Sequence, residues 1–179
     1  MRTETNADGQ AAVNLLARPL TLAALAALAL AANVAEGYIT LPLPLIRIGV
    51  ANAFVLVALW KWGPADALLV AAAKTLGAAL VLGTLATPVF ALNGGGTLAA
   101  WLVMSGVAAA ANRRRGAVVV ASALGGLAHA GWQVLYLQWL TANVDVIRLG
   151  AFLLPWGLAA GVAVGVLTSK LLAWEKVGA

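Results

Sequence analysis

Charged side chains are so scarce in this chain that no soluble surface can be built from it. Eleven basic and six acidic residues among 179 make up 9% of the sequence, where a soluble domain carries about a quarter. With 63% hydrophobic residues the chain is too apolar for disorder. The absence of cysteine excludes disulfide scaffolds, zinc fingers, thiol catalysis and cysteine-held iron–sulfur clusters. A polytopic membrane protein remains.

Two regions are expected: a polar cytoplasmic tail over residues 1–18 and a transmembrane domain over 19–179. Hydropathy and turn residues place six spans: Leu20–Gly37, Ile46–Trp62, Pro64–Thr84, Thr97–Ala111, Gly116–Leu140 and Val146–Trp174. Their lengths suit a hydrocarbon layer that takes roughly 20 helical residues to cross. All are expected to be helices, because backbone facing lipid must satisfy its own hydrogen bonds. An extended Leu41-Pro42-Leu43-Pro44 linker precedes the second span. Thr87–Gly96, with Pro88 and Gly94-Gly95-Gly96, reads as a broken or re-entrant entry to the fourth.

The charges then sort by side. With six spans, Arg2, Arg18, Lys61, Arg113, Arg114, Arg115, Lys170 and Lys176 share one side, and Arg47 and Arg148 the other. This asymmetry predicts that both termini are cytoplasmic. It also removes the nucleic-acid reading of the +5 net charge, since a three-arginine loop cannot follow a phosphate backbone. Trp60, Trp62 and Trp174 at the inner ends, and Tyr38, Tyr136 and Trp139 at the outer ends, fit interfacial belts. Ala29-Leu30-Ala31 resembles a signal-cleavage triplet, but cleavage there would spoil the charge pattern.

Two rows of small residues recur at a spacing of four. Ala23, Ala27, Ala31 and Ala35 lie on the first span, and Gly157, Gly161 and Gly165 on the sixth. Such rows let helix backbones approach closely in lipid. The glycine row reads as internal packing. The alanine row reads either as internal packing or as a docking face for another membrane protein.

Ionisable groups within spans are expensive and mark candidate sites. By helical rise, Lys74 lies about 15 Å, His129 about 20 Å and Glu36 about 24 Å from the cytoplasmic end. Asn52 falls at a similar depth, and Lys74 is expected to pair with Glu36 or a bound anion. His129, Trp132, Gln133 and Tyr136 form one helical stripe, and Asn33 shares a face with Glu36. Glu36, Asn52, Lys74, His129 and Gln133 are therefore candidate substrate-binding residues, in a pocket walled by aromatics. The competing reading is interhelical hydrogen bonding that merely holds the bundle.

No Walker loop is present, so an ATP-driven step needs a partner. The six acids are isolated, and one histidine without cysteine makes no metal or haem site. No catalytic constellation is visible, so the chain is expected to be a non-enzyme without metal or cofactor.

These features together resemble the Gx transporter family, also labelled heptaprenyl diphosphate synthase component I, within the wider group of S components of energy-coupling factor transporters. The resemblance runs from about Leu20 to Trp174. It rests on Glu36 with the Leu41–Pro44 linker, Ile48-Gly49-Val50-Ala51-Asn52-Ala53, Lys74 with Leu76-Gly77, Gly94-Gly95-Gly96, and Leu127-Ala128-His129-Ala130-Gly131-Trp132-Gln133. It implies an S-component-like six-helix bundle in the bacterial inner membrane, with a pocket near the outer face. It further implies that the Ala23/Ala27/Ala31/Ala35 face contacts a transmembrane coupling protein driven by ATPase subunits. The synthase label fits less well, because prenyl elongation needs acid-rich magnesium sites. The expected function is capture of a small organic molecule for uptake. The alternative is a structural subunit of a quinone- or flavin-linked redox assembly.

Overall fold

The computed structural model describes residues 2–39, 48–143 and 145–174. Among them are six α-helices and no strand: α1 Arg2–Tyr38, α2 Ala51–Lys61, α3 Pro64–Val81, α4 Pro88–Ala110, α5 Val118–Thr141 and α6 Asp145–Trp174. A short 3-10 turn, Arg115–Ala117, leads into α5. Five helices are long and apolar enough to cross a membrane, with α1 contributing Ala17–Tyr38. The chain is an all-α, multi-pass membrane bundle.

Several boundaries follow from local signals. Pro64 opens α3, where its missing N–H costs nothing, behind Gly63 at φ 111°. Thr87 caps α4 by accepting from the Phe90 amide, and Pro88 is its first residue. The polar stretch expected as a tail is helical from Arg2 onward and continuous with the first span through Pro19.

Two expectations about breaks are corrected. The broken entry expected before the fourth span does not exist: α4 runs unbroken from Pro88 and carries Gly94-Gly95-Gly96 inside it. In the second span, expected over Ile46–Trp62, the described helix α2 begins at Ala51. Eleven residues reach about 16 Å, half of the hydrocarbon layer. The Leu41–Pro44 linker and Arg47 lie outside the described residues, as does Lys176.

The half-length α2 is the centre of the core. Ala51, Ala53 and the whole run Val55–Trp60 are buried. Helices α1, α2 and α3 pack together as one trio, and α4, α5 and α6 as another. Contacts of α2 with α6 and α4, and of α3 with α4, join the two trios. The tightest seam is α5 against α6. There the glycine row works as expected: a Cβ on Gly161 would stand 2.5 Å from the Ser122 carbonyl oxygen, and one on Gly165 2.7 Å from Val119 Cα. Only glycine lets these backbones touch.

Basic residues gather at one end. Arg18 pairs with Asp66 at 2.6 Å. The Trp60 indole N–H donates to the Arg114 carbonyl at 3.4 Å, and Lys61 Nζ lies 4.8 Å above the Trp62 ring. The Ala17–Tyr38 span of α1 and the helices α3 and α5 thus start together at this end.

Candidate functional site

A cavity of about 100 Å³ lies between the two trios. Glu36, Asn52, Lys74, His129 and Gln133, drawn from four helices, all line it. Sequence spacing had placed them at similar depth; the packing brings them around one space.

Glu36 sits at the start of α2. Its Oε1 accepts from the Val50 amide at 2.6 Å and its Oε2 from the Gly49 amide at 3.2 Å. The first amides of a helix have no partner inside it and carry partial positive charge. A carboxylate here both satisfies the donors and is itself offset by them. Two donors that α2 leaves without a partner are thus taken by a side chain of α1.

Lys74 and Gln133 are 4% and 3% exposed. The Asn33 side-chain amide donates to the Lys74 carbonyl at 3.1 Å and so clamps α1 to α3 beside the cavity. His129 and Gln133 stand one turn apart on α5. The His129 ring rests where a Cβ of Gly96 would be, 2.8 Å from that position.

The α5 stripe divides. His129 and Gln133 face the cavity, whereas Trp132 and Tyr136 do not line it. Trp132 lies on Gly95, donates to the Ala91 carbonyl at 3.2 Å, and stacks on Tyr136 at 6.1 Å between ring centroids. Tyr136 continues to Trp139 at 5.9 Å. This aromatic ladder runs toward the bundle surface, where Trp139 is exposed. The aromatic lining of the cavity comes instead from Phe90 and Trp156. An ideal helix repeats every 3.6 residues, so a stripe of i, i+3, i+4 and i+7 is wide enough to straddle two surroundings.

Sequence reasoning passed over Asn93, Thr75, Thr97 and Ser122, which also line the cavity. Asn93 lay in the stretch read as a broken entry. The Thr87-Pro88 helix start was the signal that placed it on α4. Ala23, Ala27, Ala31 and Ala35 are all exposed on the bundle, so that row is not used for internal packing. Among the described residues, no three His, Asp or Glu side chains gather as metal ligands.

An all-helical membrane bundle around a small, partly polar internal cavity is the class that fold and site define. The family model described as heptaprenyl diphosphate synthase component I matches residues 25–171, and the chain belongs to that family. No curated protein and no solved structure gives a match.

Proposed function

We propose that this chain is a membrane-embedded, S-component-like binding subunit that captures a small organic molecule for uptake driven by partner subunits. One observation carries the reading: Glu36, Asn52, Lys74, His129 and Gln133, from four helices, line one cavity together with Asn93, Thr75, Thr97 and Ser122. Polar groups within membrane spans are costly, and gathering them around one cavity suits a ligand better than a structural clamp. Both termini lie in the cytoplasm in this reading, in a bacterial inner membrane, and the cavity belongs to the outer half. Lys74 and His129 favour a ligand with an anionic or acceptor-rich group, while Glu36 anchors α2 beneath it. The chain binds and does not catalyse.

The family description speaks of a first component, which supports the presence of a partner. The exposed row Ala23, Ala27, Ala31 and Ala35 is the docking face for a transmembrane coupling protein, behind which ATPase subunits act.

Native mass spectrometry of the complex, purified at natural expression, tests both parts. The expected result is a small molecule bound to the wild type and lost in Lys74→Ala, with coupling and ATPase subunits lost in Ala27→Leu. Redox subunits in their place would replace this reading with a structural role in a quinone- or flavin-linked assembly.

A further inference from the structure

Outside the cavity, between α3 and α4, runs an apolar groove of about 270 Å³. Ala71, Ala72, Leu76, Gly94, Leu98 and Trp101 are among its walls. Small residues here do the opposite of the glycine row on α6. The α5–α6 glycines bring backbones into contact, whereas a Cβ on Gly94 would meet nothing closer than 3.8 Å. The α3–α4 seam is thus looser beside Gly94, in the first half of α4. Toward the basic end it is tied by the Trp101 indole, which donates to the Pro64 carbonyl at 2.9 Å.

Thr75, Phe90 and Thr97 line both the cavity and the groove. A single layer of side chains therefore separates a polar interior from a surface facing hydrocarbon. The hydroxyls of Thr75 and Thr97 meet across the seam at 3.5 Å, well beyond the usual O–H···O distance of about 2.8 Å. This wall is thin, and its one polar tie is long.

The geometry points to an amphiphilic ligand: a polar head in the cavity, and a hydrocarbon chain that leaves through the Thr75/Thr97/Phe90 wall and lies in the α3–α4 groove. This rests on the binding role proposed above and adds the ligand's chemical class and its lateral route from the bilayer. The chain would replace lipid against the groove, so the route is chosen by shape and by the position of the head rather than by hydrophobic gain.

The test uses the full chain in lipid nanodiscs and two radiolabelled probes with the same head, ethyl phosphate and dodecyl phosphate. Comparing each variant with the wild type cancels the partition of the longer probe into the bilayer. Gly94→Leu fills the groove from α4 at a residue that lines the groove and not the cavity, packing on the groove side of Phe90 and Thr75. It is expected to weaken dodecyl phosphate about ten-fold, in the range of an overpacking cost, and to leave ethyl phosphate within about two-fold. Ala72→Leu blocks the same groove from α3 and is expected to behave alike, which covers a folding failure of the first variant. Gly94→Ala adds a methyl in ordinary contact and is expected to keep both probes. If both blocking variants bind dodecyl phosphate as the wild type does, the groove holds bilayer lipid instead and the inference is overturned. An equal loss of both probes overturns it too. Failure of ethyl phosphate to bind the wild type overturns the anionic-head reading itself, a result distinct from the other two.

Discussion

The entry to α2 and the glycine triplet of α4 carry the same kind of warning in sequence, and the structure treats them oppositely. Both hold residues that weaken a helix. Helix α2 begins only at Ala51, with its first amides held by Glu36. Helix α4 runs straight through Gly94-Gly95-Gly96. Glycine costs a helix up to about 1 kcal/mol per residue relative to alanine, which packing can offset. On α4 the offset is visible: Gly95 and Gly96 are seats for Trp132 and His129 of α5. At the start of α2, a half-buried carboxylate takes the free donors. The lesson is to ask what fills a glycine's missing side chain before reading it as a break.

That contrast can be broken by substitution. The largest effect is expected from Gly96→Leu, which drives a branched side chain into the His129 ring. It should cost about 3 kcal/mol, the upper part of the overpacking range, and lower the thermal midpoint in detergent accordingly. A midpoint unchanged from wild type would mean that the triplet is not a packing seat. Glu36→Ala is next, at about 1–2 kcal/mol, because two half-buried amides lose their acceptor. Hydrogen exchange should then rise at Gly49 and Val50 while α4 stays protected; uniform exchange would show that Glu36 does not hold the α2 start. Gly95→Ala should cost about 1 kcal/mol by lifting Trp132 from its seat, with a red-shifted or quenched indole signal absent from a Trp132→Phe control. Gly94→Ala is the smallest: neutral or stabilising by up to about 1 kcal/mol, since its Cβ has room and alanine favours helix. Destabilisation by Gly94→Ala would show that the seam is closed rather than open.

The candidate site was partly legible. Lys74, His129, Glu36, Asn52 and Gln133 stand out because polar side chains are rare in apolar helices, and depth along each helix follows from counting residues. Asn93 was hidden because its stretch was read as irregular, so no helical face was assigned to it, and Thr97 stood at the very start of the expected fourth span. Trp132 and Tyr136 misled for a different reason. They share a broad stripe with His129, and only the position of the neighbouring helix divides the stripe into a cavity side and a surface side.

The sequence alone determined that the chain is a helical membrane protein, where most of its helices run, and which end collects the arginines. Those properties depend on composition and on local rules: the cost of unpaired backbone in hydrocarbon, and proline at helix starts. Only the tertiary structure decided that the second span is a buried half-helix, that the α6 glycines close one seam while Gly94 leaves another open, and that five distant polar residues share one cavity. Those are properties of packing between helices. In lipid, where every outer face is equally apolar, hydrophobicity does not choose the partner; shape and the few polar contacts do.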